Sequence, residues 1–524
     1  MMKEQYVLAV DHGTSGMKTA IIDQQGHVFD SAFQSTPMYI LPKGGAEQDP
    51  LDWLNAMIGT AKELVEKKTV PPDKITAICI SSTFSSMVAV DKQGNHLMNA
   101  ITWMDSRGAP YSKEKIRGFP SIEGVNIFKL RTWISRTAGL PSPSGKDDCG
   151  HVLFIQAEHP TIYEKTYMFL PSKDYLNMKL TGQFAASYDS MHLFWLSNIK
   201  DINNVHYDDK LIQMLGIDKA KLPPMRASTD VLGSISATVA DQIGLNPDVK
   251  VVMGSPDHQC ALLGSGAIRD YETHLYIGTG SWIECLVPFK KTDMVHAMAT
   301  FPTAIPGKYQ CLNEQDFAGG CLKFLMDNIL FYESKDIPID TPSDVYAAIN
   351  NVASRVAPGS GKLIFTPWIN GERTPVEDNH IRGGFHNMST TTTREHMIRA
   401  VMEGVAYNAR WMMQYTENFI KHKMNPISII GGGGKSDLWC QIFADVMKRE
   451  IRRVKDPVHA NARGAAFIGF VGLGAMSFDD IPGVVKHEKS FSPNPDNYEI
   501  YDQLYETFVA LYKANKKVYR KLNT

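Results

Sequence analysis

Two segments of the chain share one pattern, in which an apolar run, a turn of Gly, Thr and Ser residues, and a second apolar run follow one another. The first is YVLAVDHGTSGMKTAIID at residues 6–23, and the second is THLYIGTGSWIECLV at residues 273–287. Apolar β-rich runs joined by such turns predict hairpins. Two copies near the starts of the two halves of a long chain predict duplicated domains that face each other across a cleft.

At 524 residues, the chain is longer than one hydrophobic core usually supports, so at least two domains are expected. Strand-like runs alternate with helix-like segments, which predicts an α/β fold with mixed sheets. One helix is expected over residues 50–67, and a long helix is expected to begin at a capping box formed by Thr392 and Glu395. We place the two α/β domains at residues 1–256 and 257–524.

The amino-acid composition argues against two classes of binding partner, nucleic acids and membranes. The net charge is −2 and no long run of like charge occurs, so no nucleic-acid partner is expected. No uncharged apolar stretch reaches the roughly 18 residues that a membrane span needs, so no membrane partner is expected. The seven cysteines are scattered singly, which indicates reduced core residues rather than a zinc site or a disulfide framework. These features are typical of a cytoplasmic protein.

An acid and an imidazole, Asp257 and His258, follow directly on an apolar run at residues 249–253 in the stretch GSPDHQCALLG. A strand that ends in Gly, Ser and Pro delivers its first polar side chain to the rim of a sheet. In open α/β sheets, ligands bind at the carboxyl ends of the strands. An alternative is that Asp257 only caps a helix beginning near Gln259. This fragment alone leaves both interpretations open.

A run of four glycines, residues 431–434, lies between an expected strand at residues 427–430 and an expected helix. The segment lacks the glycine that a P-loop requires, because Ile429 stands there. It also lacks the last glycine of a Rossmann fingerprint, where Ser436 and Asp437 stand. Bare backbone at a helix N-terminus lets a flat or anionic ligand approach the main-chain amides. The run therefore favours a ligand site over an ordinary turn.

The segment DHGTSGMK combines groups that suit phosphate. Asp11 closes a buried strand and can hold Mg²⁺, Gly13 allows a tight turn, Thr14 and Ser15 offer hydroxyl and amide donors, and Lys18 supplies a point charge. One such turn by itself would be an ordinary hairpin. With the copy at residues 278–281, two donor turns could clasp one polyphosphate from opposite domains, which is the geometry that phosphoryl transfer needs.

Taken in order, these motifs resemble the FGGY carbohydrate kinases of the actin-like ATPase superfamily. The resemblance runs from Asp11 to about Gly474 and includes SSTFSSMVAVD, ITWMDSR, LPSKDYLNMKLTG, PDHQCALLG, GTGSW, GERTP, RAVMEGVAYN, GGGGKSDLW and ARGAA. It implies an α/β fold of two actin-like ATPase (ribonuclease H-like) domains, with ATP and a sugar meeting in the cleft between them.

The resemblance also implies roles for single residues. Asp257 matches the general base of the family, which accepts the proton of the sugar hydroxyl as that oxygen attacks the γ-phosphoryl group. Asp11 matches the residue that serves Mg²⁺. The positions that match ATP contacts are Gly13, Thr14, Ser15 and Lys18 in the first turn, Gly278 and Thr279 in the second, and Gly319, Gly432, Gly433 and Asp437 around the adenosine. ATP is thus the expected co-substrate, and Mg²⁺ the expected cofactor.

The sugar side of the resemblance fixes the substrate less well. The positions that match sugar contacts are Thr83, Phe84, Ser85, Trp103, Asp105, Arg107, Asp257, His258 and Trp282. Phe84 and Ser85 stand where glycerol kinases carry an Arg-Glu pair and xylulokinases a Met-His pair. Glycerol is therefore disfavoured, and plain xylulokinase activity is in doubt, because buried polar contacts decide such specificity. A buried structural histidine and a core tryptophan are the alternatives for His258 and Trp282.

The leading interpretation is an ATP-dependent kinase of a ketopentose such as xylulose, in the xylulokinase and gluconokinase branches of the family. Alternatives within the family are kinases of gluconate, ribulose or a polyol. Two other classes stay open. A non-sugar actin-like ATPase has no need of ITWMDSR, and a catalytically silent sugar-binding regulator is disfavoured by the intact Asp257. A homodimer is one assembly open to such a chain.

Overall fold

The computed structural model describes residues 4–296, 298–331 and 343–523, and its framework is two large sheets. The first sheet has six strands in the order Val231–Ser234, Lys250–Pro256, Ile75–Ser82, Tyr6–Gly13, Gly16–Asp23 and Val28–Ser35. The second sheet has eight strands in the order Thr292–Asp293, Met298–Pro302, Tyr309–Gln315, Ser281–Val287, Thr273–Ile277, Ile427–Ile430, Ile451–Val454 and His487–Phe491.

The two predicted hairpins occupy equivalent places in the two sheets. Tyr6–Gly13 pairs antiparallel with the strand that follows it, and Thr273–Ile277 does the same. On its other side, each of these strands has a parallel neighbour, Ile75–Ser82 in the first sheet and Ile427–Ile430 in the second. Loops that leave the carboxyl ends of parallel strands meet at one edge of a sheet, so each sheet gathers its polar loops there.

A smaller antiparallel sheet belongs to the first half of the chain. Its five strands, in order, are Met168–Pro171, Met87–Val90, Ala100–Ile101, Gly45–Gln48 and Tyr39–Leu41. The loop after Ala100–Ile101 carries Trp103, which this sheet positions. Short strand pairs join Ser121–Ile122 to Val125–Asn126, Ala186–Ser187 to Met225–Arg226, Ser197–Asn198 to His206–Tyr207, and Ile364–Thr366 to Gly384–His386.

Helices accompany all three sheets. In the first half they are Pro50–Lys67, Ala109–Ile116, Ile127–Thr137, Asp148–Glu158, Pro160–Lys165, Ser172–Thr181, Asp209–Leu215 and Ala237–Ile243. In the second half they are Asp257–Ser265, Gly319–Leu325, Val345–Ser354, Arg394–Ile420, Asp437–Met447, Ala460–Gly472, Ile481–Val484 and Tyr498–Leu522. The helix expected over residues 50–67 is confirmed at those bounds.

The predicted capping box of the long helix is wrong by one residue. The helix Arg394–Ile420 has Thr393 as its N-cap, and the backbone N–H of Thr393 donates to Nδ1 of His396 at 3.3 Å. The imidazole at the third helical position therefore takes the acceptor role that the capping-box pattern gives to a glutamate.

Two helices, Asp257–Ser265 and Ala460–Gly472, cross each other at very short distance. A Cβ on Gly264 would lie 1.8 Å from the carbonyl oxygen of Ala460, and a Cβ on Gly464 would lie 1.8 Å from that of Cys260. Only glycine permits such an approach of two backbones. Apolar side chains of both helices share one buried cluster with strands of both large sheets. The crossing therefore ties the two sheets together.

Segments from both halves of the chain build this central layer. The helix Ala460–Gly472 comes late in the sequence, yet it packs on strands of the first sheet, where a Cβ on Gly469 would lie 3.1 Å from the side chain of Val7. The division into domains at residues 256 and 257 stays a prediction.

Two features of the structure correspond to the composition of the chain. All seven cysteines are buried and unpaired, which confirms the prediction of reduced core residues. Among the residues that the structure describes, no helix has both the length and the apolar character that a membrane span requires.

Candidate active site

Asp257 lies where a central strand of the first sheet meets a helix. It follows the strand Lys250–Pro256 directly and is the first residue of the helix Asp257–Ser265, whose N-cap position is taken by Pro256. Its carboxylate accepts the N–H of His258 at 3.0 Å, and its side chain is 17% exposed. The alternative of an N-cap aspartate is therefore wrong, and the strand presents this carboxylate at the rim of the sheet.

The electrostatic surroundings of Asp257 suit a proton acceptor. Burial raises the pKa of this carboxyl group to about 6, the His258 imidazolium opposes that rise, and the carboxylates of Asp11 and Glu314 add to it. A carboxyl group with such a pKa is ionised at neutral pH and is a stronger base than an ordinary aspartate.

The backbone of the first turn, residues 13–16, requires a glycine at position 16. Gly16 has φ +156°, and a Cβ there would lie 2.3 Å from the carbonyl oxygen of Gln34, so only glycine fits. The carbonyl of Ser15 accepts the N–H of Thr36 at 3.2 Å. The Thr14 hydroxyl accepts a hydrogen bond from Nε1 of Trp103 at 2.9 Å, which joins the turn to the predicted sugar side.

Asp11 and Lys18 lie opposite each other on the two strands of the first hairpin. Burial raises the pKa of Asp11, while the Lys18 ammonium opposes that rise. The ammonium donates to the carbonyl of Val458 at 3.1 Å, on the segment that leads into the helix Ala460–Gly472. Lys18 thus bridges the first turn to the second half of the chain.

The second turn, residues 278–281, is braced by the segment that carries Gly319. The N–H of Gly319 donates to the carbonyl of Gly278 at 2.9 Å, and the N–H of Ala318 donates to that of Thr279 at 2.8 Å. A Cβ on Gly319 would lie 2.3 Å from the Gly278 oxygen. The structure therefore brings together Gly278, Thr279 and Gly319, which the sequence places about 40 residues apart.

Tyr276 relates the second turn to Asp11 and Asp257. A Cβ on Gly278 would lie 2.5 Å from the Tyr276 ring, which places the ring against the second turn. Burial raises the pKa of Tyr276, and the carboxylates of Asp11 and Asp257 add to the effect. Both acids therefore lie within electrostatic reach of a residue that touches the second turn.

The glycine run continues the same edge of the second sheet. Gly431 has φ +84°, and a Cβ on it would lie 2.5 Å from the carbonyl oxygen of Ile277, while a Cβ on Gly433 would lie 2.3 Å from the Ile277 side chain. These two glycines serve packing against the strand that leads into the second turn. Gly432 is exposed, and a Cβ there would meet nothing within 4 Å, so this glycine presents open backbone.

Asp437 begins the helix that follows the glycine run. Its carboxylate accepts hydrogen bonds from Nη1 of Arg453 and from Nζ of Lys489, both at 2.6 Å, and its side chain is 54% exposed. The two ion pairs fix the orientation of this helix start beside Gly432 and Gly433.

An ion-pair network adjoins Asp257. Nε2 of His258 lies 3.0 Å from Oε1 of Glu314, and Glu314 in turn accepts a short hydrogen bond from Arg373. Nε of Arg373 lies 2.7 Å from Oδ1 of Asp316, and its guanidinium stacks 5.5 Å from the ring centre of Trp103. The network therefore links the segment of the predicted base to the tryptophan that holds the first turn.

Aromatic rings lie around His258. The His258 ring centre lies 4.4 Å from that of Trp282 and 5.7 Å from that of Phe84. Trp282 stacks on Tyr276 at 3.7 Å, and its Nε1 donates to Nε2 of His274 at 3.1 Å. Trp282 is a buried residue of the second sheet that also forms a wall beside His258.

The loop with Thr83, Phe84 and Ser85 follows the strand Ile75–Ser82, whose last residue pairs in parallel with Pro256. The loop therefore begins beside Asp257. The N–H of Thr83 donates to the carbonyl of His12 at 3.0 Å, and Ser85 is buried.

Asp105 and Arg107 form an ion pair with each other. Asp105 accepts the N–H of Ala46 at 2.9 Å, the N–H of Arg107 at 2.8 Å, and Nε and Nη2 of the Arg107 guanidinium at 2.9 and 2.6 Å. Arg107 also pairs with Glu47 at 2.6 Å. Asp105 is fully buried. This pair anchors the loop that carries Trp103.

The sequence interpretation missed three residues of this site: Glu314, Asp316 and Arg373. The motif GERTP, which contains Arg373, was the available signal, but its partners lie some 60 residues earlier in the chain. Sequence alone does not reveal that the fold brings Arg373 beside the end of the strand Tyr309–Gln315.

The side chains near Asp11 can be compared with the ligands that the predicted Mg²⁺ would need. Within the described ranges, no group of three or more His, Cys, Asp and Glu side chains could hold a metal ion. Mg²⁺ bound to a nucleotide needs only one or two carboxylates, because phosphates and waters complete its octahedral shell. Asp11, a half-buried carboxylate within electrostatic reach of Asp257, fits that need.

Comparison with known proteins bears on both halves of the chain. Residues 6–264 match the N-terminal domain of the FGGY family of carbohydrate kinases, and residues 275–473 match its C-terminal domain. A xylulose kinase of Staphylococcus epidermidis is 28% identical over 100% of this chain and 99% of the relative. A gluconokinase of Bacillus subtilis is 26% identical over 99% of this chain and 97% of the relative.

Solved structures share the fold. A ligand-bound xylulose kinase from Lactobacillus acidophilus and a gluconate kinase from the same organism each give a TM-score of 0.83 at 23% identity. The alignments cover 99% of this chain, with 100% of the first structure and 99% of the second. The predicted two-domain α/β fold is confirmed. The family models span most of the chain, and this protein belongs to the FGGY family of carbohydrate kinases.

Proposed function

We propose that Asp257 is the general base of an ATP-dependent phosphoryl transfer to a hydroxyl group of a sugar or sugar derivative. The observation that supports this proposal is that Asp257 directly follows the strand Lys250–Pro256, with a carboxyl pKa raised to about 6, and lies within electrostatic reach of Tyr276, which touches the second turn. The acceptor oxygen attacks the γ-phosphorus, its proton passes to the Asp257 carboxylate, and the bond from the γ-phosphorus to the bridging oxygen of ADP breaks.

We assign the nucleotide to the two turns and the glycine run. The amides and hydroxyls of Thr14, Ser15 and Thr279, with the ammonium of Lys18, are the donors for the phosphates. The open backbone at Gly432 leaves room for the adenosine, beside Gly433 and Asp437. Asp11 would hold Mg²⁺, which would neutralise charge on the phosphates of ATP. We place the enzyme in the cytoplasm, where ATP is available and thiols stay reduced.

The acceptor is a five- or six-carbon sugar derivative. A ketopentose such as xylulose is favoured by the relatives named xylulose kinase, and gluconate by those named gluconokinase. Neither Phe84 nor Ser85 supplies the imidazole that xylulokinases carry in this loop, which weakens the case for xylulose. Trp103, Trp282 and Phe84 provide apolar faces for a carbon chain, as sugar sites commonly do.

The proposed function is tested with Asp257→Asn, which removes the base and keeps the size of the side chain. Purified protein with Mg-ATP is assayed for ADP release across ketoses, polyols and sugar acids. We expect sugar-dependent release in the wild type and a loss of about 10²–10⁴-fold in the variant, with ATP binding retained. Release that does not depend on sugar would instead identify a plain ATPase. Full turnover of the variant would exclude Asp257 as the base.

A further inference from the structure

The strand that leads to Asp257 contains an extra residue near its end. Its pairing with the strand Ile75–Ser82 shifts register around residues 253–255, which form a β-bulge. Gly254 has φ +71°, and a Cβ on it would lie 2.1 Å from the carbonyl oxygen of Ile80. A bulge bends a strand and changes the direction of the side chains that follow it, and bulges are common beside active sites. The bulge therefore sets where the strand delivers Asp257.

One side of the bulge is held by a helix. The carbonyl of Met253 accepts hydrogen bonds from Nδ2 of Asn177 at 2.8 Å and from Nζ of Lys173 at 3.3 Å. Both side chains come from the helix Ser172–Thr181, one turn apart. In a regular strand this carbonyl would accept the backbone N–H of a neighbouring strand. Two side chains therefore replace a backbone hydrogen bond that the bulge has lost.

The other side of the bulge is held by a carboxylate. Asp189 accepts a short hydrogen bond from the hydroxyl of Ser255. The same carboxylate accepts the hydroxyl of Ser228 at 2.8 Å and the N–H of Ser190 at 2.9 Å. The carbonyl of Ser228 in turn accepts the N–H of Gly254 at 2.9 Å. Asp189 is therefore fixed by its own partners and holds the end of the bulge in place.

These charged groups lie deep inside the protein. Lys173, Asp174 and Asp189 are fully buried, as is Asn177, and the Lys173 ammonium lies 2.6 Å from Oδ1 of Asp174. Removing two charges from water usually costs about as much free energy as their pairing returns, so a gain in stability does not explain this cluster. What the cluster does contact is the backbone two to four residues before Asp257.

We propose that Asn177 and Asp189 are positioning residues, which fix the carboxylate of Asp257 by holding the bulge, with Lys173 as a second donor to the same carbonyl. The inference rests on the proposed function, in which Asp257 is the base, and it adds residues too deeply buried to touch a substrate. A displacement of about 1 Å in a reacting group can cost about 100-fold in rate. Loss of one of these hydrogen bonds should therefore slow the chemical step without weakening substrate binding.

Ser255→Ala removes the hydroxyl that anchors the bulge, and Asn177→Leu removes the amide donor with little change in size. With the acceptor that the wild type prefers, we expect each variant to lose about 10- to 100-fold in kcat, while KM for ATP and for the acceptor stays within about twofold. Ser360→Ala is the matched control, because its hydroxyl also donates to a buried carboxylate, that of Glu403, at 2.7 Å. It should lower the melting temperature by a similar amount and leave kcat unchanged.

The Asp257→Asn background distinguishes action through the base from a general structural effect. If the Ser255 hydroxyl acts through Asp257, adding Ser255→Ala to Asp257→Asn should not lower the residual turnover any further. An added loss as large as that in the wild-type background would overturn the inference. So would an unchanged kcat in both Ser255→Ala and Asn177→Leu, or a rise in KM that accounts for their whole loss.

Crystal structures provide a readout that needs no turnover. The carboxylate of Asp257 should move by at least about 0.5 Å relative to the first sheet in Ser255→Ala and Asn177→Leu, but not in Ser360→Ala. An unmoved carboxylate in both variants would contradict the inference even if kcat falls. If no acceptor supports ADP release, or if Asp257→Asn keeps full turnover, the proposed function fails. The crystal structures then still decide whether the bulge fixes the position of this carboxylate.

Discussion

At the scale of single residues, the site depends on how neighbouring charges set the state of Asp257. Burial raises the pKa of its carboxyl group, and the positive charge of the adjacent His258 imidazolium limits that rise. Burial opposes the charged form of His258, but the carboxylates of Asp257 and Glu314 outweigh it and raise the pKa of this histidine to about 9. Near neutral pH, the carboxylate is therefore ready to accept a proton beside a charged imidazole.

The first prediction concerns pH. A base with a pKa of about 6 is protonated below that value, so kcat/KM should fall as the pH drops through about 6. His258→Gln removes the charge that lowers the pKa of Asp257, and it should move this acid limb to higher pH. Profiles from about pH 5 to 8 on both proteins check the expectation. A profile that stays flat down to pH 5, or a limb that does not move in the variant, would contradict it.

At the scale of elements, glycines serve two structural roles: some allow close packing of backbones, and one leaves space open. The glycines at the crossing of Asp257–Ser265 with Ala460–Gly472 allow close backbone packing, whereas Gly432 leaves space open beside the glycine run. Substitution by alanine separates the two tasks, since the added methyl group meets backbone in one case and free space in the other.

Gly464→Ala is the test of packing. Its methyl group would lie 1.8 Å from the carbonyl oxygen of Cys260, so the two helices must move apart. We expect a loss of about 1–3 kcal/mol in the free energy of unfolding, measured by denaturant titration. Gly483→Ala is the matched control, because a Cβ on this helical glycine meets nothing within 4 Å. Equal stability of both variants would show that the crossing is not tight.

Gly432→Ala is the test of ligand approach. A methyl group at this exposed position disturbs no protein atom within 4 Å, so the melting temperature should stay close to that of the wild type. If the adenosine approaches here, KM for ATP should rise by about tenfold, while KM for the sugar changes little. An unchanged KM for ATP would show that the nucleotide does not bind beside this glycine.

At the scale of the whole molecule, the two large sheets are joined by the crossing helices and by the network from His258 to Trp103. Closure of two lobes around bound substrates would bring the two turns together and exclude water, as in other phosphoryl-transfer enzymes. Small-angle scattering should show a smaller radius of gyration with sugar plus a non-hydrolysable ATP analogue than with either ligand alone. An unchanged radius would mean that the cleft is already closed.

Much of this architecture was predictable because its signals are local. The two hairpins, the helix Pro50–Lys67 and the strand Ile427–Ile430 depend on turn residues and apolar periodicity within about 20 residues. The start of the long helix was misplaced by one residue, because His396 replaces a glutamate in the cap. Such substitutions change a boundary without changing the element.

By itself, the sequence determined that this chain forms an α/β fold with a repeated turn, and that Asp257 follows a buried strand. Only the tertiary structure decided which charges stand together: Glu314 lies between His258 and Arg373, and Asp105 pairs with Arg107. The physical reason is that periodicity and turn chemistry act between neighbours in sequence, whereas charge pairing depends on distances in space between segments far apart along the chain.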